Sequence, residues 1–217
     1  MNAFSERLGT PMTSRKEQRA ATRGRVLAAA GELFGTRGFE ATTVRDIAAE
    51  AGVSVGTVMA VGDKAALLVE LFDQRIADLH RTRAEAPPVP PPARPPRLAD
   101  EVLALFAPFV ALFAEDPQLT RHYAAGLVTG RYAAGVFDEL ATLLRREISD
   151  VLVRADFAPD AAGRAATTIH LAYLGALFVG AGSGEPDASG PVEDLVAVVE
   201  FLTAHHEKHA HEESEQR

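Results

Sequence analysis

Apolar residues recur at intervals of three and four along most of the chain, and no stretch alternates apolar and polar residues over the length of a strand. This periodicity predicts an all-α protein of about nine helices, with a three-helix head, a fourth helix from 64 to about 83, and a larger C-terminal helical bundle. The helices of the bundle are expected near 98–115, 117–130, 132–155, 160–181 and 191–209.

Capping signals mark the ends of the head helices. Ser14 and Glu17 have the spacing of a capping box, in which two side chains satisfy free amides at a helix start. Thr43 and Asp46 repeat this spacing before the second helix, and Gly52 can adopt the left-handed backbone of a tight turn after it. A short helix, a glycine turn and a second short helix predict a helix-turn-helix, whose second helix fits the major groove of DNA.

A proline-rich segment divides the remaining chain. Residues 87–96 hold seven of the 13 prolines, so we expect a stiff, extended connector there. The predicted organisation is a disordered arm at 1–13, a helix-turn-helix domain at 14–62, a second domain at 64–209 and a tail at 210–217.

Charge is distributed unevenly between these parts. Residues 1–64 hold nine basic and seven acidic residues, whereas 65–217 hold 13 basic and 23 acidic residues. The first segment is therefore +2 and the second −10, which together give the net charge of −8. Five of the cations fall within positions 15–25 and form a basic arm, which on charge alone is either a DNA contact or a solvated helix face. The acidic remainder would repel DNA, so any DNA contact is expected at this end of the chain.

Other classes of protein find little support. The chain has no cysteine, no glycine-rich phosphate loop, no Gly-x-Ser-x-Gly elbow and no His-Glu-x-x-His motif. Its N-terminus lacks the apolar core of a signal peptide, and its apolar stretches are too short to cross a bilayer. We therefore expect a cytoplasmic protein that is not an enzyme and uses neither a cofactor nor a metal. A metal site at His205, His206, His209 and His211 is the alternative to the solvated tail that we expect there.

Residues 20–75 resemble the DNA-binding head of the TetR family of transcriptional regulators, in order and in spacing. The matching elements are Leu33-Phe34, Arg37-Gly38-Phe39, the run from Thr42 to Ala48, the run from Ala51 to Ser54, Gly56-Thr57, and Lys64 with Leu67-Leu68. The resemblance implies a head that binds operator DNA and a body that dimerises and senses a ligand. The body itself matches the family only in being helical and of suitable length.

The resemblance also implies roles for particular residues of the head. Thr43, Arg45 and Lys64 would contact phosphates, while Gly56 would let the third helix approach DNA closely. Capping alone would also explain Thr43 and Ser54, whereas Arg45 has no evident structural task. The complete predicted set of DNA-binding residues is Thr43, Arg45, Ser54, Val55, Gly56, Thr57, Met59 and Lys64.

The third helix departs from the family pattern. Val55 stands where the family commonly has Lys, Met59 stands where it commonly has Tyr, and Ala60-Val61 replaces an aromatic pair in a helix one residue shorter. No basic or amide side chain remains there for bidentate reading of a base. Either phosphate contacts and the basic arm supply more of the affinity, or the head no longer binds DNA specifically. We expect a repressor released by a small apolar effector; the alternative is a ligand-binding helical dimer with a head that has lost specific binding.

The resemblance implies a cavity and a dimer surface in the body, although core packing would also explain most of the residues concerned. The predicted cavity lining is Phe106, Phe109, Phe113, His122, Tyr123, Phe137, His170 and Tyr173. The helix at 160–181 is apolar almost all round and the helix at 191–209 carries an apolar stripe, which favours burial against a second subunit, although a central place in the monomer core would also explain the first. The predicted dimer residues are Ile169, Ala172, Ala176, Leu195, Val198, Val199 and Leu202. The expected partners are operator DNA, a second copy of the chain and the effector, with no membrane.

Overall fold

A computed structural model describes residues 14–86, 96–128, 135–183 and 193–204. Over these residues the chain forms nine helices and no strand, which confirms the all-α prediction. The helices are α1 (Arg15–Arg37), α2 (Val44–Glu50), α3 (Val55–Val61), α4 (Lys64–Glu85), α5 (Leu98–Ala114), α6 (Pro117–Val128), α7 (Gly135–Arg154), α8 (Pro159–Ser183) and α9 (residues 193–204).

The chain divides into two compact units, Met1–Leu67 and Leu68–Arg217, which we call the head and the body. The head contains α1, α2, α3 and the first turn of α4. The body contains the rest of α4 and the later helices. The division falls inside α4, five residues beyond position 62, where the sequence placed the end of the helix-turn-helix domain.

The core of the head is built from one face of each of its helices, and each pair among α1, α2 and α3 is in contact. Buried Thr42 joins α1 to α2, because its hydroxyl donates to the carbonyl of Gly38 over 2.8 Å. This hydroxyl is satisfied by backbone inside the core, as a buried polar group must be. The largest core side chains are Val26, Leu33 and Phe34 of α1, Ile47 of α2 and Val58 of α3.

Local signals fix the helix ends of the head as predicted. The Ser14 hydroxyl accepts the Glu17 N–H, and the Glu17 carboxylate accepts the Ser14 N–H, which completes the capping box. Gly52 has φ +63°, a conformation that glycine adopts without steric cost. The Asp63 carboxylate accepts the Ala66 N–H over 2.8 Å and so caps α4.

The body has an aromatic core. The rings of Phe72 and Tyr123 stack with 4.6 Å between centroids, and the Phe113 ring stacks on both at 5.8 and 5.9 Å. The helix α5 continues through Pro108, and α7 packs on both α5 and α8. Where both fall within the described residues, observed and predicted ends differ by at most two residues, as for the start of α8 at Pro159 and the end of α7 at Arg154.

Some predictions lie outside the described residues. They concern the arm at 1–13, positions 87–95 of the connector, the side chain of Phe137, and everything after position 204, including the four C-terminal histidines. Among the helices that are described, none combines the length and the apolarity needed to cross a lipid bilayer.

Candidate functional site

The outer face of α3 is apolar. Val55 and Met59 lie four residues apart on this face, and their exposed fractions are 43% and 51%. Val58 instead points into the core and is fully buried. Gly56 is also exposed, and a Cβ added there would meet only the Ser54 hydroxyl, at 3.8 Å. The fold therefore gives no steric reason for a glycine at this position.

Thr57 carries the only hydrogen-bonding side chain of α3, whose sequence is VGTVMAV. Its hydroxyl is 2.9 Å from the Ser54 hydroxyl, and the Ser54 hydroxyl also accepts the Thr57 N–H over 3.1 Å. Ser54 thus caps α3 and engages the hydroxyl of Thr57 at the same time. The exposed surface of α3 is left with methyl, thioether and glycine groups.

A groove lined by arginines runs between α1 and α3. Arg15, Arg19 and Arg23 recur every four residues, which places them along one side of α1. All three side chains are exposed and line an open groove of about 700 Å³. The other wall of the groove includes Thr57, Ala60 and Val61 of α3. The apolar face of α3 is therefore bordered by a row of positive charges, as a helix held against a phosphate backbone would need.

The start of α2 presents one capping residue and one exposed cation. The Thr43 hydroxyl donates to the Asp46 carboxylate over 2.6 Å, and the Thr43 N–H donates to the same carboxylate over 2.9 Å. These two bonds, the hydroxyl one first, hold the pKa of Asp46 below its usual range. Thr43 therefore has the structural role that capping predicts. Arg45 is exposed, and its guanidinium has no ion pair or hydrogen bond with any other described residue.

Lys64, at the start of α4, is engaged within the head. Its ammonium donates to the carbonyl of Phe39 over 2.8 Å and lies 4.1 Å from the centre of the Phe39 ring. This contact fixes α4 to the segment between α1 and α2. An ammonium has three donors, so this bond leaves capacity for a phosphate oxygen.

A small cavity lies within the body. Its volume is about 30 Å³, which is room for roughly two water molecules. Its lining is mostly apolar, but two imidazoles, of His80 and His170, also face it. The remaining lining residues are Ile76, Phe109, Phe113, Leu140, Ala141, Leu144, Tyr173, Leu174 and Leu177.

Both imidazoles are more than nine-tenths buried, and the Nδ1 atom of each has no hydrogen-bond partner among the described residues. Burial, with a smaller effect of Arg145, lowers the pKa of His170 to about 4, so this imidazole is neutral near pH 7. An unsatisfied buried polar atom costs about 1–3 kcal/mol. Two residues that line one cavity therefore each carry a buried nitrogen without a partner among the described residues.

His80 lies beside a half-buried ion pair. Its Nδ1 is 3.9 Å from Oε1 of Glu147, too far for a hydrogen bond, and Nη2 of Arg83 lies 2.9 Å from Oε2. The Glu147 to Arg83 contact is one of charge, because no N–H points directly at Oε2. His80 first, and then Arg83, hold the pKa of Glu147 below its usual range, although burial opposes them. A negative and a positive charge thus lie next to His80, which lines the cavity.

Comparison with known proteins finds a match to a family model in the head. Residues 26–71 match the family model described as "Bacterial regulatory proteins, tetR family". The head of the chain is therefore similar to the DNA-binding head of the tetR family. The solved structure of Thermus thermophilus FadR, described as a TetR family transcriptional repressor in complex with lauroyl-CoA, is similar at TM-score 0.59 and 24% identity, over 83% of this chain and 90% of that one. This likeness shows a shared fold. No curated protein matches the chain.

The body brings together half of the residues predicted for the effector cavity. Phe109, Phe113, His170 and Tyr173 line it. The Phe106 ring contacts that of Tyr173 at 4.8 Å, but Phe106 does not line the cavity. These side chains come from α5 and α8, which the sequence could place on helices but not in contact.

The other predicted lining residues lie elsewhere. Tyr123 is fully buried, and its hydroxyl donates to Asp73 over 3.2 Å, so the stacked aromatic core and this bond occupy it completely. His122, directly before Tyr123 on α6, is half-buried and does not line the cavity. His80 is the residue that sequence reasoning missed. The sequence holds only a weak signal for it, a single polar side chain one turn after Ile76 on the same side of α4.

The predicted dimer residues differ in their exposure within the single chain. Ile169, Leu195 and Val199 are buried within the single chain, so they belong to its own core. Ala172, Ala176, Val198 and Leu202 are half-buried. The large apolar side chains that α8 leaves most exposed are Leu171 and Val179. A helix that is apolar on nearly every side has no hydrophobic periodicity that shows which face a second subunit would cover, so the dimer contact stays a prediction.

Proposed function

We propose that the protein is a sequence-specific DNA-binding transcriptional regulator, and that it acts as a repressor released by a small, largely apolar effector. The observation that carries the DNA half is the surface of the head. There, the exposed face of α3 borders the groove of Arg15, Arg19 and Arg23. The positive charge of residues 1–64 beside the −10 of the remainder supports contact through the head alone.

A selection from random duplexes tests this half. We expect the enriched duplex to stay bound in excess competitor DNA, because a specific site exceeds non-specific affinity by roughly a thousandfold or more. We expect Arg19→Ala and Arg23→Ala each to reduce the slope of log affinity against log salt by about one. Arg146→Ala, a matched loss of an exposed arginine on α7, serves as the control and should leave that slope unchanged. Equal binding of enriched and random duplexes would refute specific binding.

The effector half rests on the cavity between His80 and His170. FadR, whose fold is similar, has lauroyl-CoA bound, which supports an apolar ligand for a body of this kind. At about 30 Å³ the cavity admits no such ligand without a shift of its lining. An effector would therefore bind an opened state of the body and stabilise it by its difference in affinity for the two states.

The helix α4 offers a route from this cavity to the head. It contributes Ile76 and His80 to the lining, and the same continuous helix begins with Lys64 in the head. An effector that displaces the lining would move the body part of α4, and the hydrogen-bonded helix would carry that movement along its axis. Since coupling is reciprocal, operator DNA should weaken effector binding by the same factor by which the effector weakens DNA binding.

The Nδ1 atoms of His80 and His170, which have no hydrogen-bond partner among the described residues, indicate the chemistry of the effector further. We propose an apolar molecule that carries at least one hydrogen-bonding group, because a neutral imidazole can donate or accept at Nδ1. Lauroyl-CoA and dodecanoic acid are the first probes, with coenzyme A alone as the control without an acyl chain. Release of operator DNA by the acyl probes, and loss of that response in His170→Leu, are the expected results. A response to coenzyme A alone would contradict this assignment.

A homodimer completes the proposal, with Leu171 and Val179 of α8 at the contact between copies. The alternative function is a ligand-binding helical dimer whose head has lost specific DNA binding. The absence of amide and basic side chains from α3 favours that alternative, and the competitor experiment decides between the two.

A further inference from the structure

The apolar face of α3 has a specific counterpart in the major groove. We infer that Val55 and Met59 read T·A base pairs through the 5-methyl group of thymine. This inference rests on the proposed DNA binding and adds how sequence is recognised. The two side chains lie one helical turn apart, both about half exposed, on the outer face of a helix that is otherwise glycine and alanine there.

Elimination supports this chemistry. Guanine and adenine are read by bidentate bonds from Arg, Lys, Asn or Gln, and α3 contains none of these residues. Its one hydroxyl, on Thr57, is already paired with that of Ser54. The thymine methyl is the one apolar group that a base pair presents in the major groove. Apolar side chains pressed on any other base edge would desolvate polar atoms without bonding them, which is unfavourable.

Charge complementarity identifies the occupant as duplex DNA rather than a protein. The arginines at 15, 19 and 23 border α3 on one side, and a polyanion would neutralise them while the apolar face is covered. An apolar protein surface would cover Val55 and Met59 but bring no negative charge to the row of arginines beside them. Phosphate contacts from this groove would also set the register of α3 in the major groove, which apolar contacts alone cannot fix.

Replacing thymine by deoxyuridine tests the inference, because this exchange removes only the methyl group. In the selected duplex we expect one or two thymines per half-site at which deoxyuridine weakens binding by roughly fourfold, the effect of one buried methyl. At the same positions cytosine should weaken binding, and 5-methylcytosine should restore part of the loss. If no thymine responds while the selected duplex is still preferred, the inference fails and the proposed function stands. If no duplex is selected, the proposed function fails first.

Protein variants assign the methyl contacts to side chains. Val55→Ser and Met59→Gln replace exposed apolar groups with polar ones, so the thermal stability of the head should change little. Each variant should abolish the discrimination between thymine and deoxyuridine at one base pair and leave affinity for random DNA unchanged. Val153→Ala, at an exposed apolar residue of α7, is the control and should keep full discrimination. Unchanged discrimination in both head variants would overturn the inference.

Discussion

The ammonium of Lys64 holds the backbone carbonyl of Phe39 at 2.8 Å while lying over the ring of the same residue. Twenty-five positions separate the two residues, so this contact joins the start of α4 to the segment between α1 and α2. A cation beside an aromatic face adds about 0.5–1 kcal/mol at a partly exposed site. Lys64 is therefore a structural residue of the head as well as the predicted phosphate ligand.

This double role separates Lys64→Ala from Arg45→Ala. We expect both variants to weaken binding to operator and random DNA by similar factors and to flatten the salt slope by about one, since both cations are placed for phosphates. Lys64→Ala should also lower the free energy of unfolding by about 1–2 kcal/mol, because it removes the hydrogen bond to Phe39. Arg45→Ala should not, because Arg45 is exposed and unpaired among the described residues. Chemical denaturation and salt-dependent binding measure the two effects. An unchanged salt slope for Lys64→Ala would leave it a purely structural role.

Gly56→Ala should change stability and DNA binding in opposite directions. An added Cβ meets nothing closer than 3.8 Å, and alanine favours the helix by up to about 1 kcal/mol, so the melting temperature should rise slightly. If α3 approaches DNA as closely as proposed, the same methyl group should weaken operator binding by tenfold or more. Gly163→Ala, at an exposed glycine of α8 with nothing within 4 Å, is the control and should affect stability alone. Full operator affinity in Gly56→Ala would rule out the close approach.

The ends of the head helices could be predicted because the signals are local. Thr43 with Asp46, the left-handed turn at Gly52, and Asp63 as a cap each involve residues within a few positions of one another. The link between Lys64 and Phe39 could not be found in this way, since it depends on how separate helices pack.

In the body, the sequence indicated helices but not the faces they bury. Ile169 and Leu171 are two positions apart on α8, and only the packing of the other helices makes the first a core residue and the second an exposed one. His80 was hidden for the same reason, because a single polar residue in an apolar stripe does not show which way it points. Burial of Leu79 or His80 depends on a rotation of α4 by less than a third of a turn.

The exposed side of α8 predicts where two copies meet. Leu171→Glu places a charge on the proposed contact, and burying it there would be costly, so we expect a monomer at micromolar concentration. Val153→Glu introduces the same charge at an exposed residue of α7 and should remain a dimer. Sedimentation velocity distinguishes the two states. A wild-type protein that is itself a monomer would remove the proposed contact altogether.

Two buried groups of the body should respond to pH in opposite senses. Burial, opposed by the bond from Tyr123, raises the pKa of Asp73 from 3.8 to about 6. The folded state therefore holds this proton more tightly than the unfolded state, and stability is lost as pH rises from about 4 to 6. Burial lowers the pKa of His170 from 6.5 to about 4, so the unfolded state takes up its proton first, and stability is lost as pH falls from about 6.5 to 4.

In the wild-type protein these two dependences of unfolding free energy on pH partly cancel between pH 4 and 6.5. Single substitutions should therefore reveal each dependence separately. Asp73→Asn keeps an acceptor for the Tyr123 hydroxyl and removes the buried charge, so it should stabilise by up to about 3 kcal/mol at pH 7 and hardly at all at pH 4. His170→Leu should stabilise by about 1–2 kcal/mol at pH 7, where only the unsatisfied Nδ1 is removed, and by more at pH 4. Denaturant unfolding at a series of pH values measures both. A gain from Asp73→Asn that does not depend on pH would mean that this carboxyl is not ionised at pH 7 in the folded protein.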